Sequence, residues 1–356
     1  MLLVLAAAGA IWGIGILMGA PRRQRLILIG VLWLAVVVEH LLLPAGHPLR
    51  LATGGSAQVW LVLGGVVALI LAYRALLLRL RTRVTPDAPA PPQGSFRPAE
   101  LERYARHIAL REIGGPGQRR LKDARVLVIG AGGLGAPALM YLAAAGVGTI
   151  GVIDDDAVES TNLQRQIIHA DARIGWPKAQ SAAEAMRALN PFIEVRPYQR
   201  RLTEEIAEGL FADYDLILDG SDNFDTRFLA NRTAVALGKP LIAAAISQWE
   251  GQLSLYDPAR GGPCYECVFP TRPAPGMVPT CAEAGVAAPL PGVLGSLMAL
   301  EAVKHLSGAG ESLRDRLFLF DGLHSENRLV ALHKRADCPV CGPIGAGGWT
   351  GDAVAP

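Results

Sequence analysis

The chain has 356 residues, enough at roughly 150 per domain for about two folded units, and its 34 basic and 32 acidic side chains leave a formal charge of only +2. That balance argues against a nucleic-acid-binding protein and against an acidic tail. Charged residues amount to 19% against the roughly 25% usual in soluble domains, mean hydropathy is positive, and the deficit in charge is local.

Residues 1–100 hold nine Arg, no Lys and three acids (Glu39, Asp87 and Glu100), a balance of +6, whereas the remainder holds 25 basic and 29 acidic side chains, a balance of −4. Within this first part Leu2 to Ala20 carries no charge, Leu26 to Leu43 is apolar except for Glu39 and His40, and Ala57 to Tyr73 is again uncharged. At about 1.5 Å per residue, stretches of this length cross a hydrocarbon core of ~30 Å, which predicts three transmembrane helices at about 2–20, 26–43 and 57–73 in a membrane region 1–83. A cleaved signal peptide is the alternative for the first stretch, but the basic n-region it needs is missing. Arg22, Arg23 and Arg25 follow the first stretch and Arg74, Arg79, Arg81 and Arg83 the third, whereas the intervening loop carries only Arg50. By the positive-inside rule the N-terminus is outside and everything after Tyr73 is cytoplasmic, so the expected location is the cell inner membrane, multi-pass, with a cytoplasmic catalytic domain. Glu39 and His40, near the outer end of the second stretch, are expected at the interface, within reach of headgroup water. Residues 84–98 are proline-rich and short of core residues, as in a stiff linker.

From Arg125 the pattern changes. RVLVIG reads as a buried strand, Gly130-Ala131-Gly132-Gly133-Leu134-Gly135 follows at once, an Ala/Leu-rich helical stretch runs to Ala145, and a second strand, Thr149 to Ile153, ends in Asp154. This is the order of a mononucleotide-binding βαβ unit, in which glycines admit tight turns and a helix N-terminus favours phosphate. Further strands are predicted at 216–219, 241–246, 252–256 and 317–320, with helices at 177–189 and 293–306. The fold class is therefore α/β: a Rossmann-like ATP-binding sheet with helices on both faces, preceded by N-terminal transmembrane helices.

The default for such a unit is a dehydrogenase whose Asp154 grips the ribose of NAD. Asn162, Arg165, Gln166 and Lys178, shortly past that acid, turn the reading towards ATP, because a bidentate guanidinium and an ammonium suit a triphosphate. As isolated residues Arg165 and Lys178 are equally well explained as solvated surface charges. Asp222, just beyond the strand ending at Asp219, suits the Mg²⁺ that accompanies ATP, and a helix cap by Ser221 or Asp222 is the alternative. Of five cysteines, Cys264 and Cys267 form one CxxC pair and Cys338 and Cys341 another about 70 residues on. Four thiolates so spaced suit a closed structural Zn²⁺ site; a redox pair is the competing idea, but neither CxxC opens a helix after a thioredoxin-like strand.

RYARHIALREIGGPGQRRLKDARVLVIGAGGLG, IDDDAVESTNLQRQ, GWPKAQSA, LDGSDNFDTR and PTCAEAGVAAPLPGVLGSLMALEAVK, in that order, resemble the bacterial sulfur-carrier adenylyltransferases, relatives of ubiquitin-activating enzymes that include the molybdopterin-synthase and thiazole-pathway enzymes. The resemblance covers about residues 101–342 and implies an adenylyltransferase domain at 99–342. It implies adenylylation by ATP of the terminal glycine carboxylate of a small ubiquitin-like sulfur carrier, with release of pyrophosphate. Molybdopterin-synthase small subunit is favoured as carrier and the thiazole-pathway carrier comes next. Carried over by position, Gly133, Thr161, Leu163, Gln164 and Asn223 would contact the nucleotide and Asp154 its ribose. Asn162, Arg165 and Lys178 would act on the phosphates and Asp222 on the magnesium. Arg106 would reach into a neighbouring subunit's site, implying a homodimer. Cys281 stands where thiazole-pathway relatives bond covalently with the carrier, and an inert, packed thiol is the alternative. The two CxxC pairs recur in relatives of this type.

The membrane region is an addition that the resemblance does not explain, and tethering of carrier activation to a membrane is the expectation for it. The tail 343–356 is Gly/Ala-rich and expected to be flexible, so the persulfide sulfur is expected from a separate donor protein. An NAD-linked oxidoreductase and a membrane-tethered, non-catalytic partner-binding protein are the competing functions.

Overall fold

The RVLVI run at Arg125–Ile129 forms β1, and its four consecutive apolar residues are buried because the strand is covered on both faces. Val126 and Val128 point into one hydrophobic cluster and Leu127 and Ile129 into another, the two-residue alternation of a pleated strand lying between two cores. The computed structural model describes residues 1–44, 46–54, 56–84, 96–273 and 284–342. The chain divides into two units, Met1–Ala90 and Pro91–Pro356.

In the first unit the helices are α1 (Leu2–Leu17), α2 (Arg22–Leu42), α3 (Pro48–Thr53) and α4 (Ala57–Val84). Gln24–Leu42 and Ala57–Arg74 are long and apolar enough to cross a membrane. α1 is shorter, at 16 residues, and is followed by Gly19 with φ 68°, a left-handed conformation that does not continue a helix. α3 was not anticipated: Pro48 sits at its first position and the His47 ring accepts a hydrogen bond from the Leu49 amide, both features of a helix start. Thr53 donates to Glu39 Oε1 at 3.1 Å and Trp60 Nε1 donates to the Thr53 carbonyl at 3.1 Å. His40 is buried, with Nδ1 donating to the Val36 carbonyl at 2.9 Å.

The second unit opens with α5 (Pro98–Ile108) and α6 (Gly114–Asp123), then alternates β1, α7 (Gly135–Ala145), β2 (Thr149–Ile153), α8 (Lys178–Leu189), β3 (Glu194–Tyr198), α9 (Glu204–Ala212), β4 (Leu216–Asp219), α10 (Phe224–Ala236) and β5 (Leu241–Ile246). It continues with β6 (Glu250–Tyr256), the short α11 (Tyr265–Val268), α12 (Pro289–Ser307), β7 (Arg316–Asp321) and β8 (Glu326–Ala331). The eight strands form one sheet in the order β3-β2-β1-β4-β5-β6-β7-β8, parallel from β3 to β5 and antiparallel from β5 onward. One face is covered by α7, α8 and α12, whose Leu139, Met186 and Met298 share a core with Val126 and Val128; the other by α9 and α10, through Phe211 and Phe228. The α/β class with helices on both faces thus describes the molecule.

All six strands expected between 125 and 320 are present. β3 (EVRPY) escaped because Pro197 argues against a strand interior, and it is tolerated here on the sheet edge. β8 escaped because all six residues are exposed, leaving no alternation to read.

The glycines after β1 set the geometry of everything that follows. Gly130 has φ 89°, and its amide bonds to the Ile153 carbonyl at 2.9 Å, while the Gly220 amide bonds to the Ile129 carbonyl at 3.0 Å. Gly135, the first residue of α7, lies so close to this turn that a Cβ on it would fall 1.8 Å from the Gly130 carbonyl oxygen. The helix can start there only without a side chain. Gly135→Ala is expected to cost about 3 kcal/mol of stability, as overpacking against backbone does. In thermal denaturation of the full-length protein that corresponds to a fall of roughly 6–12 °C in Tm.

Candidate active site

The strand order reverses between β1 and β4, and in open α/β sheets the crevice outside the strand ends at such a point is where ligands bind. A cleft of about 920 Å³ opens there. Gly130, Gly132 and Gly133 form one wall, Asp154 follows β2, and Ser221 and Asp222 follow β4. At Gly133 a Cβ would fall 2.9 Å from Pro291 and 3.9 Å from Arg165 Cδ, so a side chain there has no room.

Asp154 holds this wall in place. One carboxylate oxygen accepts from the Ala131 amide at 2.7 Å and the other from the Asp156 amide at 2.9 Å. Burial raises its pKa above the usual carboxylate value, and the two backbone bonds and the charge of Lys178 pull the other way. Lys178, the first residue of α8, is only 6% exposed, and its Nζ lies 2.7 Å from Asp156 Oδ2, whose own side chain is largely in solvent. The surface-charge alternative therefore fails for Lys178: its stem is buried and its ammonium reaches the cleft. Arg165 lines the cleft as well, with a guanidinium nitrogen donating to the Thr161 carbonyl at 3.2 Å.

Asp222 is exposed, lines the cleft and has no side-chain hydrogen bond or ion pair among the described residues. The helix cap considered for it or for Ser221 belongs to Asn223, whose side chain accepts from the Thr226 amide at 2.8 Å. Ser221 turns to Asp219, donating to Oδ1 from both its amide (2.9 Å) and its hydroxyl (2.6 Å). Asp219 is 1% exposed, with Arg227 Nη1 3.9 Å from its other oxygen, and Arg227 also donates to the Ser221 carbonyl. This buried pair fixes the segment carrying Asp222; sequence reasoning missed it because Asp219 reads as the last residue of a strand.

Of the residues expected to meet the nucleotide, Gly133, Asp154, Arg165, Lys178, Asp222 and Asn223 line one cleft. Thr161, Asn162, Leu163 and Gln164 do not. They form a 3-10 turn and its exit, in which the Asn162 carbonyl accepts from the amides of Arg165 and Gln166. Arg106, on α5, lies in a separate groove with Tyr141 and Leu300. Cys281 falls outside the described residues. Arg200, Arg201 and Tyr265 line the cleft without having been singled out, and Gln166, one of the four residues that turn the reading towards ATP, lines it too. Gln166 lay inside the NLQRQ run, and it is 4% exposed with its amide oxygen unpartnered.

Among the described residues, two groups could hold a cation. The carboxylates of Asp154, Asp155 and Asp156 lie within 4.8 Å of one another at the cleft. Cys264, Cys267, Cys338 and Cys341 are all buried and their sulfurs likewise fall within 4.8 Å, with separations of 3.9 Å (264 to 267), 3.6 Å (264 to 338) and 3.3 Å (267 to 341). Tetrahedral ligation at about 2.3 Å requires sulfurs roughly 3.8 Å apart, so the quartet fits a closed four-thiolate site. The knuckle is strapped to α10: the Tyr265 amide donates to Asn231 Oδ1 at 2.9 Å, and Arg232 grips both oxygens of the buried Glu266 at 2.9 and 3.2 Å.

A family model described as the ThiF family matches residues 104–340. The sulfur carrier protein adenylyltransferase of Thermus thermophilus is 49% identical over 247 residues, covering 68% of this chain and 91% of that protein. The SAMP-activating enzyme E1 of Haloferax volcanii is 47% identical over 251 residues, covering 70% of this chain and 92% of that protein. Among solved structures, E. coli MccB with ATP superposes with a TM-score of 0.59 at 23% identity, over 67% of this chain and 74% of that one, a likeness of fold.

His169, beside the cleft wall, gives the site a pH signature. Burial pushes it down to about 4, helped by the charges of Lys178 and Arg173 and opposed by its bond to the Ala131 carbonyl. An unfolded histidine takes up its proton near pH 6.5, so between about pH 6.5 and 4 the unfolded chain binds a proton that the folded chain refuses. The depressed folded value therefore means stability that is present above pH 6.5 and is lost as pH falls towards 4. Denaturant titrations of wild type and His169→Phe across that window are expected to differ in slope by up to about one proton, the variant being shallower. Equal slopes would contradict this account.

Proposed function

The chain belongs to the ThiF family, and from that premise we propose that it is an ATP-dependent adenylyltransferase acting on the C-terminal glycine carboxylate of a small ubiquitin-like sulfur carrier. The observation that carries the reading is the convergence of Lys178, Arg165 and Asp222 on a glycine-walled cleft at the switch point of the sheet. Molybdopterin-synthase small subunit is the first candidate for the carrier and the thiazole-pathway protein the second.

The chemistry follows from the electrostatics. A carboxylate is a poor electrophile, and attack of one of its oxygens on the α-phosphorus of ATP, with loss of pyrophosphate, makes an acyl-adenylate whose leaving group is AMP. The amides of the glycine wall and the start of α7 face the phosphates, where negative charge is favoured. Arg165 and Lys178 neutralise charge as the pyrophosphate departs. Lys178 is held ready by Asp156, a contact that phosphate oxygens can replace. Asp154, while fixing the Ala131 amide, stands at the end of β2 where the ribose is bound in this architecture. Asp222 would hold Mg²⁺, which supplies charge neutralisation on the phosphates.

The same reading extends to the rest of the chain. The four-cysteine knuckle would hold structural zinc. Arg106, remote from the cleft of its own chain, is available to a partner's site, which supports a homodimer. α2 and α4 support a membrane anchor over residues 1–83, joined by the linker 84–98 to a cytoplasmic domain 99–342. An NAD-linked oxidoreductase is disfavoured, since Lys178 and Arg165 at the phosphate side are superfluous to it.

Carrier-dependent exchange of labelled pyrophosphate into ATP by the full-length protein in detergent tests the reading directly. Exchange is expected with one of the two carriers and is expected to fall at least about 100-fold in Asp222→Ala while the far-ultraviolet spectrum is unchanged. Absence of exchange with either carrier, together with tight binding of NAD, would overturn it. For the knuckle, metal analysis is expected to find about one zinc per chain, and Cys264→Ala is expected to lose it and to unfold at lower temperature. A variant that keeps both zinc and Tm would remove the quartet from the metal site.

A further inference from the structure

His169 does not line the cleft, yet both of its ring nitrogens are engaged by elements that do. Nε2 lies 3.0 Å from the Ala131 carbonyl oxygen and Nδ1 lies 2.9 Å from Ser181 Oγ. A carbonyl only accepts, so Nε2 carries the hydrogen, and Nδ1 is left to accept from the serine hydroxyl. We propose that His169, as this neutral tautomer, is a positioning residue that sets the distance between the glycine wall of the cleft and the helix bearing Lys178. The inference rests on the reading of the cleft as a phosphate-binding site given above.

The geometry makes the ring a spacer. Ala131 is held from both ends: its amide by Asp154 and its carbonyl by His169. Gly132 and Gly133, which line the cleft, follow it directly. Ser181 stands three residues after Lys178, one turn along α8 and on the same side of that helix. Arg173 fastens the same corner, donating to the carbonyls of Ser181 and Ile168. The imidazole thus ties the residue before the wall glycines to the turn that carries the buried ammonium. At 7% exposure no water replaces a lost bond easily, and a pKa near 4 keeps the ring uncharged and its tautomer fixed at neutral pH. A phosphate that spans the wall and Lys178 reads this spacing; a ligand that lacks the β- and γ-phosphates does not.

The test compares ATP and AMP binding by calorimetry on the full-length protein in detergent. His169→Phe keeps a ring of similar size and removes both hydrogen bonds, and it is expected to weaken ATP about tenfold while AMP changes less than about twofold. His169→Gln, whose amide nitrogen can still donate to the Ala131 carbonyl, is expected to recover most of the ATP affinity. Equal ATP affinity in wild type and His169→Phe, or equal losses of ATP and AMP, would overturn the proposal, the second outcome being what a purely structural role predicts. Should His169→Phe fail to fold, Ser181→Ala carries the same comparison: a several-fold loss for ATP alone supports the proposal, and no loss or a uniform loss overturns it. A wild type that binds AMP and ATP equally, or neither, would instead sink the reading of the cleft itself.

Discussion

The catalytic unit is organised around one close approach of backbone to backbone. Gly135 opens α7 against the carbonyl of Gly130 with no room for a methyl group, and Gly220 packs its own backbone against the same turn. This contact pulls the N-terminus of α7 onto the ends of β1 and β4, at the point where the strand order reverses. A crevice and a helix start then coincide, which is what an anionic ligand needs. The hydrophobic cores on either face supply stability; the glycine contact decides what the stability is used for.

Around that contact, buried polar groups are paired in a chain that runs along the rim of the cleft. Asp154 holds the Ala131 amide, His169 holds the Ala131 carbonyl, Ser181 holds His169, and Asp219 with Arg227 and Ser221 holds the segment before Asp222. Each link costs desolvation, and a buried pair gives little net stability when its partners are both present. Breaking one link leaves an uncompensated polar atom in the interior, so the arrangement is specific more than it is strong. Among the described residues of this rim, the buried Gln166 amide oxygen and Asp219 Oδ2 have no hydrogen-bond partner, and the exposed Asp222 carboxylate lines the cleft.

The cysteine quartet takes part at one remove. Its knuckle carries Tyr265, which packs edge-on against Phe228 of α10 and against Tyr256, and which also lines the cleft. Through Arg232 and Asn231 the same knuckle grips the middle of α10, whose N-terminus follows Asp222. Ordering of the four thiolates and ordering of the β4 side of the cleft are thereby joined by direct packing, with α10 as the rigid element between them.

Much of this was legible along the chain because it is written in local patterns. The run of four apolar residues in β1, the spacing of Gly130 to Gly135, the acid after β2, the two CxxC pairs and the uncharged stretches near the N-terminus each depend on residues a few positions apart. They were sufficient for the α/β class, the glycine turn and six of the strands. What the local patterns left open were interactions between distant segments. Nothing near Asp154 in the chain says that its oxygens bind the amides of Ala131 and Asp156, nor that Asn223 rather than Asp222 is the cap. β8 was invisible because an exposed edge strand has no buried face to impose alternation. His169 and Ser181 were ordinary residues in a helix-and-turn stretch until the fold brought Ala131 between them and Asp154. Periodicity and spacing are imposed by the backbone of a single element and can be read from it; the partner of a buried polar group is chosen by which segments the packed sheet brings within hydrogen-bond reach, and only the tertiary structure decides that.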